Sequence, residues 1–105
     1  MSETELPIIV SPVFMDRLFE LEQYVGRDAQ ARGREFTGAV FDFLHDTLGP
    51  FPLSFPSYSL ARHPELRLRR AVFRKRYNII YEVTPEAVHC LTIFVAAQDP
   101  TTISL

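Results

Sequence analysis

Six cationic side chains crowd into ten consecutive residues: Arg67, Arg69, Arg70, Arg74, Lys75 and Arg76. Lys75 is the only lysine in the chain. The preference for arginine suits paired hydrogen bonds to phosphate or carboxylate better than simple solubility. Groups able to move a proton lie nearby, at His63, Tyr77 and Tyr81, and further off at His45 and His89. An RNase that uses no metal must activate a 2′-hydroxyl, stabilise a charged phosphorane and protonate a leaving oxygen. His63, Arg70, Arg74 and Tyr81 are the candidates for such catalysis. Arg67, Arg69, Arg70, Arg74, Lys75 and Arg76 are the candidates for binding a target or a partner protein. A plainer reading stands beside each. A charge run is also what a solvated strand face looks like, and tyrosines that alternate with aliphatics are core or cross-strand partners. His45 in a helix and His89 in a strand read as structural, and His63 as an ordinary loop residue.

Other chemistry finds no pattern. Three scattered histidines and one cysteine match no metal-ligand spacing. There is no glycine-rich phosphate loop and no nucleophile elbow, so no cofactor and no metal is expected. Cys90 stands in an apolar stretch and reads as a buried, inert thiol. The 105 residues suit one domain, 1–105, with 47% apolar and 23% charged residues, ordinary globular values. A lone cysteine excludes an internal disulfide and points to a reducing, cytoplasmic setting. The apolar uncharged run Ala87–Gln98 is far short of the ~20 apolar residues of a membrane span. The first six residues carry Glu3 and Glu5 without a basic residue, unlike a secretory leader. The net charge of −2 is uneven: residues 1–60 hold four basic and nine acidic side chains, residues 61–105 seven and four.

The elements that must position these residues follow from periodicity. Leu6–Val10 reads as a strand. Ser11-Pro12 is a helix start, with serine at the cap and proline in the first turn. Phe14, Leu18, Leu21 and Val25 fall four, three and four apart, one face of a helix that ends at Gly26. A second helix is expected from a cap at Asp28 to about Leu48, burying Phe36, Val40, Phe43 and Leu44. Gly38 inside it costs ~1 kcal/mol against alanine, which a close crossing would explain. Gly49–Glu65 is a long loop with four of the chain's eight prolines. Proline keeps it out of a central strand, and its apolar content predicts packing by its own side chains. Three strands follow. In Leu66–Arg74, Leu66, Leu68, Arg70, Val72 and Arg74 alternate against Arg67, Arg69, Ala71 and Phe73. In Tyr77–Thr84, Tyr77, Ile79, Tyr81 and Val83 share one face. In Val88–Ala97, Val88, Cys90, Thr92 and Phe94 oppose His89, Leu91, Ile93 and Val95. The connections at Lys75-Arg76 and Pro85-Glu86 are short enough for an antiparallel meander. The expected order is β-α-α-β-β-β, an α+β domain with two helices on one face of a sheet.

Several local signatures resemble one family. Ile9-Val10-Ser11-Pro12, Leu68-Arg69-Arg70, the segment Tyr77-Asn78-Ile79-Ile80-Tyr81-Glu82-Val83, and Asp99-Pro100 after an apolar strand are similar, in this order, to the RelE/ParE superfamily of bacterial type II toxins. The resemblance spans about Ile8 to Pro100. It implies a toxin neutralised by a cognate antitoxin that is small and acidic where it binds, with DNA gyrase or the ribosome as target. Two positions depart from the RNase branch: Asn78 stands where arginine is frequent, and Val95-Ala96-Ala97-Gln98 where a basic stretch is usual. Their character and the acidic pI of 5.9 favour a ParE-like inhibitor of DNA gyrase over a RelE-like, ribosome-dependent mRNA interferase. A non-toxic interaction module that binds an acidic protein segment is the reading from another class.

Overall fold

The computed structural model describes residues 5–97 and 105. Strand β1 is Ile8–Val10, helix α1 Pro12–Val25 and helix α2 Gln30–Phe43, which runs on into a π-helical turn, Leu44–Leu48. Strands β2 Ser57–Tyr58, β3 Leu68–Phe73, β4 Tyr77–Val83 and β5 Val88–Val95 follow. They form one sheet in the order β1-β5-β4-β3-β2. The β3-β4-β5 meander is antiparallel, and β1 joins β5 in parallel. The expected α+β layout of two helices packed on one sheet is therefore present, with β2 as a short added edge strand.

The apolar stripe of α1 packs as its spacing predicts: Phe14 and Leu18 are buried, and Leu21 and Val25 pack against the same core. From the second helix come Phe36, Val40, Leu44 and Leu48, and from β4 Tyr77, Ile79 and Tyr81. Phe36 meets Tyr77 edge to face with ring centroids 4.9 Å apart, a favoured aromatic geometry. The other face of the sheet has a smaller core of Leu60, Leu68, Ile80 and Phe94, with Tyr58, Leu66, Leu91 and Leu105 packed against it. The segment between β2 and β3 supplies part of that second layer. Farther back in the long loop, Phe55 packs against Phe43 at 6.0 Å.

Four local expectations are corrected. Helix α2 is capped by Ala29, which has no side-chain acceptor to offer, rather than by Asp28. Strand β3 begins at Leu68 rather than Leu66. In β5 the alternation breaks, because Ile80 pairs with Thr92 but Tyr81 pairs with Cys90. Leu91 is the extra residue of a β-bulge, which re-aims the side chains beyond it. Val88 and Cys90 therefore share the helix-side core with Ile93 and Val95, while Leu91 and Phe94 lie on the opposite side. Lastly, Gly38 is not at a close crossing, since a β-carbon there would meet nothing within 4 Å. The close approach is at Gly26 and Gly33, where α1 meets α2, and a β-carbon on Gly33 would fall 2.5 Å from the Glu22 carbonyl oxygen.

These contacts predict opposite signs for one substitution at two glycines. Gly38→Ala should stabilise by up to ~1 kcal/mol through helix propensity. Gly33→Ala should destabilise by ~1–3 kcal/mol, because the helices must part. Urea denaturation of the two variants measures both.

Candidate functional site

The sheet distributes the basic residues rather than collecting them. Alternation along β3 turns Arg69 toward the helix side and Arg70 toward the other. Arg69 donates from Nη1 to the Phe55 carbonyl at 2.6 Å, tying the long loop to the sheet. Arg70 is half-buried, its guanidinium 5.6 Å from the centre of the Tyr58 ring. Arg67 is exposed just ahead of the strand. Arg74 bridges to Glu35 of α2 at 2.9 Å, and Lys75 and Arg76 are exposed beside it.

The proton-transfer candidates do not meet one another or the free cations. Tyr81 is fully buried on the helix side and donates its hydroxyl to the Pro52 carbonyl at 2.7 Å. Burial pushes its phenol up to about 12 from 10.0, with Arg69 pulling the other way and Cys90 adding to the rise. His63 belongs to the loop that covers the opposite side, with Nδ1 3.6 Å from the Glu65 carboxylate. His89 Nε2 lies 3.3 Å from the Thr84 hydroxyl, and His45 is exposed in the π-helical turn. Asn78, at the position where the resemblance implies a frequent arginine, is only 5% exposed; Gln98 and Asp99-Pro100 lie outside the described residues. No group of three or more histidine, cysteine or acidic side chains among the described residues could hold a metal ion. Cys90 is buried, and burial pushes its thiol up to about 12 from 9.0.

What the structure does bring together is the tip of the β3-β4 hairpin. Arg74 and Lys75 have φ of 54° and 58°, and the Arg76 N–H donates back to the Phe73 carbonyl at 3.1 Å. Two successive left-handed residues are what asparagine and glycine are chosen for in hairpin turns; side chains with a β-carbon are strained there. Three cations are thus displayed on a strained turn, a feature that marks functional loops more than structural ones.

Beside this turn lies a groove between α1 and the adjoining ends of β4 and β5, about 360 Å3 in volume. Leu21, Tyr24, Tyr77, Ile93, Phe94 and Val95 line it, together with the charged side chains of Arg17, Glu20 and Arg76. Arg17 is held by Glu20 at 2.9 Å. The groove escaped the reading of the sequence because it joins residues from three separate elements. The one local signal was Tyr24, an aromatic off the buried stripe of α1, which is 58% exposed. No protein-family model matches this chain, and a search of curated proteins finds no match either.

Two outcomes follow. Lys75→Gly should stabilise the protein by about 1 kcal/mol, by relieving the left-handed strain, as read from the denaturation midpoint. Stability should fall as the pH rises from 9 toward 12. Both raised groups are neutral in the fold and lose protons more readily when unfolded, so their contribution is complete below 9 and lost above it. Tyr81→Phe should flatten part of that fall in pH-dependent urea titrations.

Proposed function

We propose that this chain is a cytoplasmic toxin-type module of a toxin–antitoxin pair, acting by binding its target rather than by cleaving RNA. One observation carries the reading: Tyr81 and His63, the best-placed proton-transfer groups, sit on opposite sides of the sheet, each already engaged, while Arg74, Lys75 and Arg76 stand exposed together on a turn away from both. General acid–base catalysis needs its donor and acceptor within hydrogen-bond reach of one substrate. A displayed cationic turn next to an apolar groove needs only a partner. The element order and the local signatures shared with the RelE/ParE superfamily support placing that partner in a toxin–antitoxin pair. The ParE-like branch, with DNA gyrase as target, fits best because Asn78 is neither cationic nor exposed.

Inducible expression in bacteria tests this. The expected result is growth arrest with filamentation and DNA damage, relieved by a small acidic antitoxin. Purified protein should leave ribosome-bound mRNA intact, and His63→Ala should be as inhibitory as the parent. Replacing both Lys75 and Arg76 by glutamine should weaken target binding by ~1–3 kcal/mol, the range for hydrogen bonds to charged groups. A rapid stop in translation with mRNA cleavage that His63→Ala abolishes would overturn the non-enzymatic reading. No effect on growth would leave an interaction module without toxicity.

A further inference from the structure

Packing within the chain gives no reason for a glycine at position 38. Gly38 sits in the middle of α2, where glycine weakens a helix, and a β-carbon there would meet nothing within 4 Å. It lies two residues from both Phe36 and Val40, which are buried against the sheet. At about 100° per residue that turns it to the outer side of the helical layer, where it is exposed. A glycine on a helix surface is a notch that lets a neighbour approach the backbone closely. The matching projection is on α1. Phe19 is 62% exposed, and Met15, one turn before it, is 42% exposed. Phe19 is three residues from Glu22, whose carbonyl abuts Gly33 of α2, so it stands on the α2 side of that outer surface. The two helices form an antiparallel hairpin through the short connection 26–29. Counting back along α1 and forward along α2 from the Glu22–Gly33 contact brings Phe19 level with Gly38 to within roughly one turn. A knob and a notch thus stand side by side on one face.

We propose that this face pairs two copies of the chain about a two-fold axis parallel to the helices. Phe19 of each copy then rests on Gly38 of the other, with Met15 and the half-buried Phe41 completing the apolar contact. Helix α1 of one copy lies antiparallel to α2 of the other, and the four helices form a bundle. The surface selects a second copy because it is self-complementary. In a two-fold contact residue i meets j and j meets i, so one pairing fills both notches at once. Charge agrees. The outer side of α1 carries Asp16 and Glu20 and that of α2 carries Arg34, all exposed, and the two-fold sets the acidic helix against the basic one. Two helices of 14 residues each present a face on the order of 21 Å by 20 Å. That is about half the ~800 Å2 that each partner gives to a standard stable complex, so the dimer is a reversible one that forms as concentration rises. The pairing stands whether or not the chain is a toxin.

The test is sedimentation velocity of the full-length protein over a dilution series through the micromolar range. The parent should pass from dimer to monomer on dilution. Phe19→Ser removes an exposed ring and leaves the core untouched. It should raise the dissociation constant roughly a hundredfold, because each dimer loses two buried phenylalanines. Gly38→Leu fills the notch. Its side chain meets nothing in a single copy, so the diluted variant should resist urea at least as well as the parent, yet it should no longer dimerise. Phe51→Ser removes a ring that is 61% exposed on the long loop, and it should leave the dimer unchanged. A parent that stays monomeric at every concentration would overturn the proposal. So would a dimer that survives Phe19→Ser or Gly38→Leu, or an equal loss in Phe51→Ser.

Discussion

Ser11 is the residue on which both layers depend. Its hydroxyl accepts the Phe14 N–H at 3.0 Å, the capping bond that starts α1. The same hydroxyl donates to the Leu91 carbonyl at 2.8 Å, and the Ser11 N–H donates to the Cys90 carbonyl at 3.0 Å. One residue therefore follows β1, caps α1 with its side chain and, through its hydroxyl and its backbone N–H, bonds both carbonyls at the β5 bulge. A bulge interrupts the ladder and leaves backbone groups to be paired elsewhere. Without Ser11 the Leu91 carbonyl would lose its partner, and the side-chain rotation that brings Ile93 and Val95 back to the helix-side core would lose its support. The groove is built from these residues, so its shape descends from this junction.

The basic half of the chain divides by depth. Arg69 serves the fold: it ties the Phe55 carbonyl to β3, next to the Tyr81 hydroxyl that ties down the Pro52 carbonyl. These two bonds moor a proline-rich loop that has little regular structure of its own. Arg70 covers Tyr58, and Arg74 joins the hairpin tip to α2 through Glu35. Exposed pairs of the last kind contribute little stability, but this one limits where the tip can point. Arg67 stays exposed ahead of β3, and Lys75 and Arg76 stand exposed together at the hairpin tip.

The strain in the hairpin gains meaning from this arrangement. A glycine or asparagine at position 75 would suit the turn better, and Lys75 holds that place against its own backbone preference. Placed there, it projects from the tip beside Arg76 and the mouth of the groove. Tyr77, at the first position of β4, keeps its ring in the core against Phe36 and lines the groove. A cation and a phenol two residues apart are thus presented by one hairpin, one from the turn and the other from the strand.

Much of the fold was legible in the sequence, because local backbone period decides it. The four-three-four spacing of α1, the stripe of α2 and the two-residue alternation that places Tyr77, Ile79, Tyr81 and Val83 together all stand in the structure. So do the helix start at Ser11-Pro12 and the burial of Cys90. The basic cluster was legible as a run of residues, but not its division between the two sides of the sheet and the turn. What tertiary structure alone decided involves pairs distant in the chain. The parallel pairing of β1 with β5 joins residues eighty apart. The Leu91 bulge breaks an alternation that the sequence continues without a mark. The glycine that permits a helix crossing is Gly33 rather than Gly38, because glycine spacing does not say which side of a helix its neighbour will approach. The groove needs α1, β4 and β5 together. Periodicity tells which way a side chain faces relative to its own backbone, but only the packing of one element on another decides what it faces.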